Sequence, residues 1–203
     1  SRALSSSPNE LGTIFRERVF ESIPAVVSTS ATLTNGTDFD YLRGRFGIAD
    51  DGVSVTELVV PSPFDFEKNA LFYTPGDLPS PSELAFAAAA TERIAELVEI
   101  TGGGAFVLTT SVRSMNALHK GLGTRLPGMR LLVQGQAPKS ALVSAFRAAG
   151  DAVLCATMSF WEGVDVPGSA LRLVVLDKIP FLVPSDPLVR ARVFTRPGGD
   201  HVV

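Results

Sequence analysis

The sequence has little of what builds a covalent or metal-held scaffold. A single cysteine, Cys155, excludes an internal disulfide and any site made of cysteines alone, and its apolar neighbours Val153 and Leu154 mark it as a buried strand thiol. Histidine is almost as scarce. His119 falls in a polar helical stretch and His201 near the end, and with no third ligand spaced near either, a metal site is not expected. No apolar run approaches the roughly 18 residues of a spanning helix, and the opening SRALSSSPNE lacks the apolar centre of a signal peptide. The expectation is a cytoplasmic chain with no membrane role. No G-x-x-x-x-G-K-[ST] phosphate loop occurs, and without a G-x-S-x-G elbow a serine hydrolase is not expected either. Excess positive charge is also missing. A net charge of −3 and a pI near 5.4 argue against a protein whose whole surface coats nucleic acid, while leaving a local phosphate-binding groove open.

Apolar residues, by contrast, make up 45% of the 203 positions, enough for one well-buried compact domain over 1–203. They fall into two alternating patterns. Short β-branched or apolar runs at 25–30, 57–60, 70–74, 105–110, 130–134, 152–157 and 171–177, bounded by Gly, Pro, Asp or Ser, predict strands. Helical spacing predicts helices over 38–46, 81–100, 111–122 and 138–150, with Pro81 near the start of the second and Gly102 after its end. Continuous apolar strands joined by helical crossovers predict an α/β fold, a mostly parallel sheet with helices on both faces. Ligands of such sheets bind outside the carboxyl ends of the strands.

Three polar clusters fall where strands end: STSATL (28–33), TTSVRS (109–114) and TMSFWEGVDVPG (157–168). Hydroxyls and free N–H groups at strand ends and helix starts suit phosphates, although each cluster taken singly also reads as a helix cap or a strand-to-helix turn. The glycine-rich TGGGAF (101–106) precedes its strand instead of following one, so it reads as a helix-to-strand turn rather than a phosphate cradle. The acids of SPFDFEKN (62–69) read as solvated loop charges, with acid/base work the lesser alternative.

Taken in order, AVVSTSATLT, SPFDFEKNALFYTP, GGGAFVLTTSVRSMNAL, LLVQG, LVSAFR, SFWEGVDVPGSALRLVVLDKIPF and PSDPLVRAR resemble the second RecA-like motor domain of the XPD/DinG family of superfamily 2 DNA helicases, over about residues 14 to 192. The resemblance implies a RecA-like sheet and a role as the C-terminal half of an ATP-dependent motor that moves 5′-to-3′ on single-stranded DNA. It assigns Ser30, Ala31 and Thr32 to coupling between nucleotide state and DNA contact. It assigns Thr110 and Ser111, with Arg113 nearby, to the DNA backbone. Glu162, Gly163 and Asp165 match the loop between the DNA path and the nucleotide at the interface with the first RecA-like domain. Trp161, just before them, could stack a base or anchor the loop on the core.

Several parts of that family's machinery do not occur between Ser1 and Val203: the phosphate-binding lysine loop, the Asp-Glu magnesium motif, the cluster-binding cysteines of many members, and the Q-x-x-G-R-x-x-R motif. The resemblance therefore implies a fragment of a larger helicase. ATP and Mg2+ would be bound by the full-length enzyme and not by this fragment alone, since phosphoryl transfer needs metal, phosphate cradle and arginine together. The alternative is a non-catalytic α/β module that binds nucleotide, nucleic acid or a partner.

Overall fold

The computed structural model describes residues 8, 11–34, 36, 38–48, 54–180, 187 and 189–190. They fall into two compact units, Phe72–Phe181 and a second made of Ser1–Leu71 with Leu182–Val203.

In the second unit, helix α1 (Gly12–Phe15) continues into a π-helical turn, Arg16–Phe20, and α2 spans Asp40–Phe46. Phe46 gathers Phe15 and Phe20 at ring-centroid distances of 5.0 and 6.1 Å. The short helix α3 (Phe66–Asn69) is capped by Asp65, whose carboxylate accepts the Lys68 N–H at 3.1 Å. One acid of the SPFDFEKN stretch is thus a capping group. No described residue of this unit is fully buried.

The other unit holds the sheet. Helix α4 (Phe86–Thr101) ends where Gly102 turns left-handed at φ +64° and the Gly103 N–H returns to the Val98 carbonyl at 2.9 Å. Gly103 and Gly104 also have positive φ, and a Cβ on Gly103 would collide with the Asp151 carbonyl oxygen. The TGGGAF stretch is therefore a helix-to-strand turn. After it come β1 (Ala105–Thr109), α5 (Val112–Arg125), β2 (Leu131–Val133), α6 (Lys139–Ala149), β3 (Val153–Thr157) and β4 (Leu173–Leu176).

The strands pair in the order β2-β3-β1-β4, all parallel, with Ala105 opposite both Val153 and Leu173. β1 and β3 are central and almost wholly buried, which explains their uninterrupted apolar sequences. One face of the sheet packs Val107 and Cys155 with Val98 of α4 and Leu118 and Leu122 of α5. The other packs Phe106, Leu108 and Leu154 with Leu142 and Phe146 of α6, and the Phe106 and Phe146 rings meet nearly edge-on at 4.6 Å. This is the expected α/β architecture with helices on both faces, of the RecA-like kind.

Three predicted strands, 25–30, 57–60 and 70–74, do not form. Val27, Val60 and Leu71 are 87%, 74% and 92% exposed, so these apolar runs lack the ladder partner and covering layers that a buried strand requires. Residues 73–77 lie along α4 instead, where the Tyr73 hydroxyl and the Asp77 carboxylate both hold Arg93.

Candidate functional site

The carboxyl ends of β1 and β3 lie side by side, because Thr109 and Thr157 are register partners. Two polar segments therefore leave the sheet next to each other.

From β1 the chain turns through Thr110 into α5. Ser111 is the N-cap, with its Oγ accepting the Ser114 N–H at 3.1 Å and lying 2.9 Å from the Ser114 Oγ. Buried Thr109 has its Oγ1 3.0 Å from the Ser111 carbonyl and 3.3 Å from that of Ala156, which ties the turn to β3. The Thr110 N–H donates to Asp177 Oδ1 at 3.0 Å, from the end of β4. Burial, above all, pushes the Asp177 carboxyl above its ordinary range, against the Thr110 N–H and Lys178, which pull it down. Its second oxygen is buried without a partner among the described residues. Arg113 is exposed on the first turn of α5 and forms no salt bridge among the described residues.

From β3 the chain makes a 3-10 turn, Met158–Phe160, and enters the loop that replaces a helical crossover to β4. Its side chains alternate in direction. Phe160 is buried, and Trp161, Val164 and Val166 pack against the Phe106/Phe146 cluster, while Glu162, Gly163 and Asp165 face solvent. Trp161 is thus half-buried on the core, and its indole Nε1 is covered without a hydrogen-bond partner among the described residues. Gly163 supplies a left-handed residue at φ +65° that a side chain would resist. Neither exposed carboxylate forms a salt bridge among the described residues. The start of the loop is fixed by Gln134 after β2, whose Oε1 accepts both the Thr157 N–H at 2.8 Å and its Oγ1 at 2.9 Å.

Ser30, Ala31 and Thr32 lie in the other unit as an exposed turn, where Ser30 Oγ accepts the Thr32 N–H at 3.2 Å. Among the described residues no group of three or more His, Cys, Asp or Glu side chains could hold a metal, and no helix is long and apolar enough to cross a membrane. His201 lies outside the described residues.

Sequence reasoning missed Gln134, Lys139, Arg147 and Asp177. Each acts on main-chain groups of the two segments, and no residue pattern announces such contacts.

A parallel sheet with helices on both faces and polar turns at the carboxyl ends of its central strands defines an α/β domain of the RecA-like kind. Residues 94–198, just over half of the chain, match the helicase C-terminal domain, and the chain belongs to that family. It is 35% identical over 190 residues to the ATP-dependent DNA helicase YoaA of Escherichia coli (strain K12), covering 94% of this chain and 29% of that one. It is 37% identical over 190 residues to the ATP-dependent helicase DinG of Mycobacterium tuberculosis (strain ATCC 25618 / H37Rv), covering 93% and 28%. It is 29% identical over 197 residues to the 3'-5' exonuclease DinG of Bacillus subtilis (strain 168), covering 94% and 21%. The chain thus spans less than a third of the length of these relatives.

Proposed function

We propose that this chain is the C-terminal motor module of a DinG-like ATP-dependent DNA helicase, working against a first RecA-like domain of the same longer protein. The observation that carries this is the pairing of Thr109 with Thr157, which sets the Thr110–Ser111 turn beside the start of the loop that carries Glu162 to Asp165. One segment would hold single-stranded DNA and the other would face nucleotide, so a shift in either is passed to its neighbour through Thr109 and the sheet.

In this reading the Thr110 hydroxyl and the Ser111 N–H meet the sugar-phosphate backbone, since the Thr110 N–H is held by Asp177 and the Ser111 hydroxyl by Ser114, and Arg113 supplies the nearby positive charge. Glu162, Gly163 and Asp165 form this chain's half of the nucleotide interface. Trp161 anchors the loop, and any stacking on a base would use only its exposed edge. Ser30, Ala31 and Thr32 couple the two states. ATP with Mg2+ would supply the phosphoryl transfer that drives movement. The chemistry here fits a supporting role: among the described residues the two exposed acids form no salt bridge and can accept hydrogen bonds from the nucleotide's hydroxyls, while no group of three or more His, Cys, Asp or Glu side chains could hold the metal. The phosphate cradle and the metal ligands would come from the first domain.

The test is Asp165→Ala, alone and with Glu162→Ala, in the longer protein. DNA-stimulated ATP hydrolysis and unwinding should fall by roughly tenfold or more, with the thermal midpoint of this chain nearly unchanged, because both carboxylates are exposed. Full unwinding activity in the double variant would remove the loop from the mechanism, whereas a longer protein that neither hydrolyses ATP nor unwinds DNA without any substitution would favour a non-catalytic binding module.

A further inference from the structure

The loop between β3 and β4 has an unusual support. Between residues 162 and 167 no described main-chain N–H or C=O joins a turn or ladder, so ordinary secondary structure does not fix its path. Two cations on α6 do. The Lys139 ammonium donates to the Ser159 carbonyl at 2.6 Å and to the Glu162 carbonyl at 2.8 Å, and lies 5.2 Å from the centre of the buried Phe160 ring. Arg147 donates to the Asp165 carbonyl.

Lys139, Val143 and Arg147 follow one another at steps of four, which places them on a single face of α6. Val143 packs into the same core cluster as Trp161, Val164 and Val166. The helix face and the loop border an open pocket that Ser140, Ser144 and Gly163 also line. Both cations meet carbonyl oxygens that recur every three residues, at 159, 162 and 165, and neither pairs with the carboxylate of Glu162 or Asp165. A charged donor to a carbonyl is stronger than a neutral one, and it leaves the acids free to face outward.

We infer that Lys139 and Arg147 are positioning residues that latch this loop to α6, setting the direction of the Glu162 and Asp165 carboxylates without neutralising them. The latch itself follows from the contacts; its consequence for turnover rests on the helicase reading.

The chain carries its own reporter, since its one tryptophan, Trp161, lies inside the latched segment. In this chain, Lys139→Met combined with Arg147→Met should shift Trp161 emission to the red and raise its quenching by acrylamide about twofold, below the onset of thermal unfolding, as expected of a loosened low-stability segment. Lys139→Arg should restore the wild-type signal, and Lys120→Met, exposed on α5, should leave it unchanged. If the double variant does not fold, Lys139→Gln alone, followed by amide exchange of residues 161–166, gives the same reading. Unchanged emission, quenching and exchange would overturn the latch.

In the longer protein, Lys139→Met should lower DNA-stimulated kcat about tenfold with the KM for ATP within about twofold, and Lys139→Arg should rescue it. A fall in kcat with Trp161 unmoved would also overturn the latch. A loosened Trp161 with kcat unaltered would leave the latch standing and remove the loop from the nucleotide interface.

Discussion

Arg172 and Lys139 perform the same local chemistry at opposite ends of one sheet, each holding main-chain carbonyls, yet they leave their surroundings in different conditions. At the amino ends of the strands Arg172 donates from Nε to Thr101 at 2.9 Å, from Nη2 to Gly102 at 2.8 Å, and from Nη1 to Ser169 and Gly150 at 2.6 and 3.1 Å. Three of these acceptors, Thr101, Gly102 and Gly150, belong to the C-terminal ends of α4 and α6, where the helix dipole favours a cation. The guanidinium fills its site, and a Cβ on Gly104 would press against it. At the carboxyl ends, Lys139 holds two carbonyls but leaves Glu162 and Arg113 without a salt bridge, and one oxygen of Asp177 without a partner, among the described residues. One end is closed by its hydrogen bonds, and the other is held in shape with its charges left open.

Six substitutions can break that contrast. The largest effect belongs to Gly103→Val at the closed end. Positive φ and the Asp151 carbonyl together leave no room for a side chain, so the loss should be about 4 kcal/mol or more, in the exceptional range for one substitution. Urea denaturation of purified variant and wild type measures it, and a loss below about 1 kcal/mol would mean the turn is plastic. Arg172→Ala comes next. Removing one charged donor from four carbonyls should cost about 2 kcal/mol, reduced from the sum of its bonds because the side chain is partly exposed. Lys139→Met should cost clearly less in the same titration, and equal losses at the two ends would erase the comparison.

Ser111→Ala, at the open end, should cost about 1 kcal/mol through the lost cap on α5. Its effect on binding a labelled single strand, read by fluorescence anisotropy, should leave the salt dependence intact, whereas Arg113→Ala should flatten it by roughly 0.7 in the log–log slope. The smallest effect is pH-dependent. Asp177 has its carboxyl pKa raised by burial, so the folded state favours the protonated form, and its contribution is complete below the ordinary value of 3.8 and lost as pH rises through the raised value. Asp177→Asn keeps an acceptor for the Thr110 N–H. Its stability relative to wild type should therefore rise as pH increases above the ordinary value of 3.8, and a difference that stays constant would mean that Asp177 ionises as freely folded as unfolded.

The closed, regular part of the molecule was legible in the sequence because burial writes itself into residue type. β1 and β3 are covered on both faces and show as AFVLT and VLCAT, and the αL turn after α4 shows as Gly102. The same apolar signal at 25–30, 57–60 and 70–74 predicted strands that do not form, since residue type cannot supply a pairing partner. At the open end the loop could be placed after its strand, and the alternation of Trp161, Val164 and Val166 with Glu162 and Asp165 already separates inward from outward positions. Lys139 and Arg147 stayed hidden because every residue carries the carbonyl they bind. Asp177 stayed hidden because only the register of β4 against β1 brings it to the Thr110 N–H.

Cys155 lies in the middle of β3 with no exposed surface, opposite Val107 on β1 and Val133 on β2. Burial pushes its thiol up to about 12, so at neutral pH it is neither reachable nor ionised. Alkylation can then proceed only through an opening that lifts the covering helices α4 and α5 from this face of the sheet. The rate of labelling becomes a clock for that face, blind to movement of the loop packed on the other, which Trp161 records.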